Sequence, residues 1–137
     1  MAEADKKDVQ EKYIMLQLID AQIKEIEKEL EVLEHRSIDL VNLKSSLDSL
    51  ASVNSGSQSI SPLGLGTYTF TELKDTKHVL VNVGAGIIVK KDTEGAKELV
   101  SKQLHQLDGV SEQLTHNLQT LVVRAQQIEE DMRALLE

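Results

Sequence analysis

The segment Gly84-Ala85-Gly86 lies directly after an apolar, β-branched stretch, in the place where a dinucleotide-binding loop would begin. Such a loop needs a further glycine at position 89 and a helix that opens there, because the amides at the helix N-terminus hold the pyrophosphate. Position 89 is instead a valine, within the run Ile87-Ile88-Val89. The pattern therefore predicts a tight turn between two strands, and the sequence contains no GK[ST] phosphate loop either.

Histidines and carboxylates are the remaining side chains that could bind a metal or transfer a proton. The histidines are His35, His78, His105 and His116, and none has another histidine three or four residues away, as a helix-borne metal pair would need. The acids Glu129-Glu130-Asp131 lie in a charged helical stretch, which is normally a solvated face. Cysteine is absent, so thiolate sites are excluded. We predict no metal, no cofactor and no enzymatic activity.

A long helix is predicted from about residue 5 to residue 51. Its apolar residues recur in alternating steps of three and four, which is the a and d pattern of a coiled coil. Near Ser37 the pattern is predicted to slip into a shifted phase, continued by Leu40, Leu43, Leu47 and Leu50. The residues of the first seam are Val9, Leu16, Ile19, Ile23, Ile26, Leu30, Leu33 and Leu40.

A second helix is predicted from residue 92 to residue 136, with Asp92 or Thr93 as its N-cap. Two helices of nearly equal length, joined by a chain-reversing block, favour an antiparallel coiled coil within one chain. A parallel homodimer of each helix is the competing arrangement. The second seam is interrupted only at Ser111, and its residues are Val100, Leu104, Leu107, Leu114, Leu118, Leu121, Ala125, Ile128, Met132 and Leu135.

The block between the helices, residues 57–91, is the part of the sequence without helical character. Turn residues between β-branched runs predict two β-hairpins, the first around the breaker run Ser61–Gly66 and the second around Gly84–Gly86. Small hairpins are marginal in water, and their open edges attract partners. We therefore interpret the block as an oligomerisation module in an α+β, mainly helical fold. The predicted strands are 57–60, 67–73, 78–83 and 87–90.

Composition limits the class of protein. A length of 137 residues suits one domain, which we expect to span residues 1–137. The formal net charge of −8 argues against a nucleic-acid partner, because phosphate binding needs clustered Lys and Arg. No apolar run approaches the roughly 20 residues of a membrane span, and no secretory leader is recognisable. We expect a cytoplasmic protein without membrane contact.

The segment from Lys74 to Glu98, KDTKHVLVNVGAGIIVKKDTEGAKE, resembles the α-class subunit of prefoldin. The run from Pro62 to Tyr68 fits the same class, and the order helix, two hairpins, helix agrees along essentially the whole chain. The most specific parts are Asp75-Thr76, Val79-Leu80-Val81 and Val83-Gly84-Ala85-Gly86. Two hairpins rather than one distinguish the α class from the β class, and the resemblance is nearest to the archaeal type.

This resemblance implies an assembly and a function. Such subunits form a hexamer of two α and four β chains, in which the hairpins join a β-barrel platform and six coiled coils project from it. The open tips hold unfolded polypeptides without ATP and pass them to a group II chaperonin. We expect the hairpins to contribute the following interface residues: Tyr68, Phe70, Val79, Val81, Val83, Ile87 and Val89.

The ends of the coiled coil carry more apolar residues than a two-helix seam can bury. Methionine among them is flexible and polarizable, and weak contacts from several subunits would add through effective concentration. These residues either contact unfolded clients, or merely broaden the core within the chain or belong to fraying helix ends. The expected client contacts are Tyr13, Ile14, Met15, Leu18, Met132, Leu135 and Leu136.

A structural role is the alternative function. An α-class chain of the same fold that assembles on itself would form a scaffold or filament through the same hairpin edges. Long polymers of the pure chain would favour this role, whereas a requirement for β chains would favour the chaperone.

Overall fold

The computed structural model describes residues 2–137, in which two antiparallel hairpins lie between two long helices in the order of the chain. This order confirms the predicted fold class. No helix of the described residues is long and apolar enough to cross a membrane. The elements are α1 (Glu3–Ser52), β1 (Gln58–Gly64), β2 (Thr67–Glu72), β3 (His78–Asn82), β4 (Ile88–Asp92) and α2 (Thr93–Leu136).

The chain divides into two compact units, and both helices contribute to each. We call residues 1–36 and 107–137 the terminal unit, and Ser37–Gln106 the hairpin unit. Within the terminal unit the helices run antiparallel, because Ile26 shares a hollow with Leu121 while Leu33 shares one with Leu114. The intrachain coiled coil predicted from the heptads is thus present.

The predicted slip in the seam of α1 does not occur at Ser37, which is half-buried at a position of the original phase. Leu43, which the shifted phase would bury, is 46% exposed. At the end of the helix the shifted phase is present, because Leu50 is half-buried while Ala51, its counterpart in the original phase, is exposed. The slip was therefore predicted too early, since helix geometry keeps a small polar residue in the seam without changing the phase. The seam of α2 was predicted to be interrupted at Ser111, but Ser111 is half-buried and the seam continues through it.

Helix α2 begins with a side-chain cap. The Asp92 carboxylate accepts a hydrogen bond from the Gly95 amide at 2.7 Å, so Asp92 is the N-cap, one of the two predicted candidates. Thr93 is buried instead, where its amide donates to the Lys77 carbonyl at 2.8 Å and its hydroxyl to the Thr76 carbonyl at 3.3 Å. These bonds fasten the start of α2 to the start of β3.

A small apolar core holds the hairpin unit together. Leu47 of α1 packs with Ala96 and Val100 of α2, and Leu40, Val79 and Leu104 cover this cluster. At its edge the Lys97 ammonium lies 2.8 Å from the Asp48 carboxylate and 3.2 Å from that of Glu94. The hydrogen bond to Asp48, supported by Glu94, raises the pKa of Lys97, so the ammonium is charged throughout the neutral range.

Each hairpin is a separate two-stranded sheet. In the first, Ile60 pairs with Phe70 and Pro62 with Tyr68. The predicted breaker run at 61–66 is therefore wrong in its first half, because β1 continues through Pro62 to Gly64. Proline lacks an amide for the ladder, but an edge strand tolerates it, and the register shifts between Pro62 and Gly64.

Candidate functional site

The first hairpin presents its apolar residues to solvent. Paired residues of an antiparallel ladder share one face, so Ile60, Pro62, Tyr68 and Phe70 lie side by side. All four are exposed, and Phe70 is 90% exposed. The opposite face carries serines and threonines, among them Ser61 and Thr71, which are half-buried. The polar face of this hairpin is thus partly buried, while its apolar face is exposed to solvent. An exposed apolar face of this kind is typical of a surface that binds a partner.

The second hairpin differs, because one of its faces packs within the chain. Val79 lies against the core of the hairpin unit, and Val81 on the same face is half-buried. Towards the turn this face opens, so that Val83, Ile87 and Val89 are exposed. The other face is open as well, and its apolar residues are Leu80 and Ile88.

Both hairpins close through the same turn. Gly64, Leu65 and Gly66 have φ angles of 119°, 49° and 77°, and Gly84, Ala85 and Gly86 have 112°, 51° and 75°. A glycine flanks a left-handed central residue on either side in each turn, and glycine adopts positive φ without steric cost. Leu65 is the exception, since it combines this conformation with full exposure of an apolar side chain (107%).

A carboxylate shapes the connection between the hairpins. Asp75 accepts hydrogen bonds from the amides of Lys77 at 2.9 Å and His78 at 3.1 Å, and its second oxygen lies 3.0 Å from His78 Nδ1. These bonds, with the Lys77 amide first, hold the pKa of Asp75 below its ordinary value of 3.8. The ionised carboxylate therefore stabilises the turn above that pH, and this contribution is lost as the pH falls through the lowered value.

The residues predicted at the oligomer interface occupy two kinds of position. Five are exposed, namely Tyr68, Phe70, Val83, Ile87 and Val89, whereas Val79 and Val81 face the chain's own helices. Sequence reasoning overlooked further exposed apolar residues on the hairpins. The signal that could have found some of them is the alternation of side chains along β1 and β3, because successive residues of a strand lie on opposite faces of the sheet. The overlooked residues are Ile60, Leu63, Leu65, Leu80 and Ile88.

The residues predicted as client contacts also divide into two groups. Met132 and Leu135 are half-buried in the seam of α2. The other residues are exposed on the terminal unit, where Val122 and Val123 of α2 are exposed too. The exposed members of the predicted set are Tyr13, Ile14, Met15, Leu18 and Leu136.

Chemistry-bearing clusters are scarce. Within residues 2–137 no group of three or more His, Cys, Asp or Glu side chains is arranged to hold a metal ion. The segment Gly84–Gly86 closes a hairpin, with the Gly84 amide donating to Asn82 Oδ1 at 3.0 Å, and no helix starts there. The features that stand out are therefore apolar surfaces.

Comparison with known proteins gives a consistent result. A family model described as prefoldin subunit matches residues 19–137. The prefoldin subunit alpha of Archaeoglobus fulgidus is 25% identical over 96% of both chains. That of Methanobrevibacter smithii is 32% identical over 69% of this chain and 64% of its own. A cryo-EM structure of filamentous PFD from Methanocaldococcus jannaschii superimposes with a TM-score of 0.75 at 19% identity, covering 84% of this chain and 95% of that chain.

Proposed function

Because this chain belongs to the prefoldin family as an α-class chaperone subunit, we propose that it captures unfolded polypeptides and transfers them to a group II chaperonin without ATP. In this proposal two such chains assemble with four β-class chains in the cytoplasm. The hairpins form the β-barrel platform of the hexamer, and the ends of the coiled coils hold the client.

The observation that carries the proposal is that each of the two units exposes an apolar surface of its own. One lies on the hairpins, where Tyr68, Phe70 and Leu65 face solvent. The other lies on the terminal unit, where Ile14 and Leu18 are exposed. A chain that exposes so much apolar surface on small hairpins requires partners there. The second surface then remains available for clients after assembly.

A filament is the second candidate, and one observation favours it. A solved structure of similar fold is described as filamentous. All four strands of the described chain are edge strands, so a second copy could extend the ladders as readily as a β-class chain. Sedimentation and electron microscopy of the pure chain distinguish the two candidates. Long polymers of the pure chain would favour the filament, and defined assemblies that require β chains would favour the hexamer.

The chaperone proposal is tested by light scattering from a chemically denatured client diluted into buffer without nucleotide. We expect the mixture of this chain and a β-class subunit to suppress the scattering. Neither chain alone should suppress it. A mixture proven to be assembled that does not suppress scattering would contradict the proposal.

The tip assignment is tested by a triple variant in the same assay. Replacing Tyr13, Ile14 and Leu18 by Ser should raise the amount of complex needed for half suppression about tenfold, because several subunits lose contacts together. Assembly should not change. The matched control replaces Ile38 and Val41, exposed apolar residues of α1 in the hairpin unit, by Ser. Equal effects of the two variants would argue against client contact at the tips.

A further inference from the structure

A stripe of exposed side chains runs along α1 beside the coiled-coil seam of the terminal unit. Its members follow one another in alternating steps of three and four residues, which places them on one helix face. Each of them precedes a seam residue by one position, so the stripe borders the seam. Its ends are apolar and its middle carries two carboxylates. This α1 stripe consists of Met15, Leu18, Gln22, Glu25, Glu29 and Val32.

Two adjoining hollows lie along this stripe, both lined by residues of the terminal unit alone. The larger has a volume of about 660 Å³, with Ile26 and Leu121 among its walls. The smaller has a volume of about 360 Å³ and is lined by Val32 and Val110, which are 63% and 51% exposed. Glu25 lines both, and their exposed walls are mainly apolar. Together they form a groove whose apolar residues are accessible without unwinding the helices.

The charge of the chain is concentrated in the same unit. The terminal unit has 16 Asp and Glu against eight Lys and Arg, a formal charge of −8. The hairpin unit has seven of each and is neutral. The terminal unit therefore carries the whole net charge of the protein. An excess of one sign around a groove attracts segments of the opposite sign and repels those of its own.

We propose that the groove binds extended, unfolded polypeptide segments that combine Lys or Arg with apolar residues. The apolar side chains occupy the two hollows, and the cationic ones lie against Glu25 and Glu29, which outnumber Lys28 in the lining of the smaller hollow. From Met15 to Val32 the stripe measures roughly 25 Å, which an extended segment of about eight residues spans. The inference rests on the proposed function and goes beyond it in two respects. Client contact extends along the α1 stripe of the terminal unit, and clients are selected by their charge.

Two fluorescent peptides test the inference against the full-length chain in its assembled form. Both are unstructured, twelve residues long and identical in their Leu and Val positions, and one carries four Lys where the other carries four Glu. Fluorescence anisotropy should show that the Lys peptide binds about tenfold more tightly at low ionic strength. The difference should shrink at high salt, because screening weakens the attraction between exposed charges.

Two sets of variants locate the binding. Glu25→Gln with Glu29→Gln should weaken the Lys peptide about fivefold and leave the Glu peptide no weaker. Its matched control, Asp39→Asn with Glu98→Gln, removes two exposed acids of the hairpin unit and should have no effect.

The second set of variants tests the apolar lining of the groove. Val32→Ser with Val110→Ser should weaken the binding of both peptides. Val41→Ser with Ile38→Ser, at 52% and 51% exposure, is the control.

Different outcomes separate this inference from the proposed function. Equal affinity of the two peptides at both salt concentrations would overturn the charge selection, while suppression of client aggregation would still support the chaperone. Binding that is insensitive to the valine and glutamate variants would overturn the groove. A change of oligomeric state in the valine variant would also overturn it, because the groove would then be an interface between copies of the chain. Failure of the assembled complex to suppress aggregation would instead overturn the proposed function.

Discussion

Single residues in the hairpin turns combine strain with exposure. A non-glycine residue in the left-handed region costs roughly 1–2 kcal/mol, and Leu65 also leaves its whole side chain in water. The turn itself was predictable from the glycines of Gly64–Gly66, but its dihedral angles were not, because most sequences with Leu at such a position avoid positive φ. Ala85 has the same φ with little side chain to expose. We therefore propose that the leucine at position 65 contacts a partner chain.

Replacing Leu65 by Gly should have opposite effects on folding and on assembly. Relief of the left-handed strain should raise the free energy of unfolding of the separated chain by about 1 kcal/mol. Loss of the exposed leucine should weaken association with partner chains, measured by sedimentation. Ala85→Gly is the matched control, since it relieves the same strain without removing a large apolar group. If Leu65→Gly leaves association unchanged, position 65 lies outside the interface.

At the scale of elements, the sequence predicted which segments form helices and hairpins but misplaced some boundaries. Heptads and caps are local signals, so both helices followed from them, and the N-cap of α2 was narrowed to Asp92 or Thr93, of which the structure selects Asp92. The slip was predicted too early, at Ser37, because the partner helix can bury a seam position whatever the hydropathy of the residue there. Likewise Pro62 stays in β1, because that strand has a free edge.

Two leucines of α1 provide a direct test of the observed phase. Leu47→Ala should lower the free energy of unfolding by about 2–5 kcal/mol, because it leaves a cavity beside Ala96 and Val100. Leu43→Ala should cost less than about 1 kcal/mol, because Leu43 is largely solvated and alanine favours the helix. Urea denaturation of the two variants gives both values. A larger loss for Leu43→Ala would indicate that Leu43 lies in the seam, contrary to its exposure in the structure.

The molecule as a whole has little buried material and much exposed apolar surface. Within residues 2–137 the buried apolar side chains are few, and Leu47, Ala96 and Val100 of the hairpin unit form one small cluster. The sequence indicated this balance through its scarcity of aromatic residues. It did not reveal the groove, because that feature depends on which residues of α2 lie opposite Glu25 and Val32. It also did not reveal the confinement of the charge, which depends on how the chain divides into units.

A chain with so small a core should gain much of its stability from assembly. The midpoint temperature of thermal unfolding should rise with protein concentration when partner chains are present, because only folded chains associate and association therefore stabilises the folded state. Differential scanning calorimetry over a hundredfold range of concentration measures this dependence. Phe70→Ser, which removes an exposed residue of the first hairpin, should reduce it. A midpoint that is independent of concentration in an assembled sample would indicate that the hairpins contribute little to the interface.

The matching φ angles of the two turns make their backbone conformations interchangeable. Gly64-Leu65-Gly66 and Gly84-Ala85-Gly86 stand twenty positions apart, so an in-frame deletion of the twenty codons from one turn to the other would join backbone segments of equal conformation. Such a deletion leaves β1 and β4 joined by one turn of the same backbone conformation, between the same two helices. Recombination between copies of this segment would therefore remove one turn and two strands in a single in-frame step, and duplication would add them.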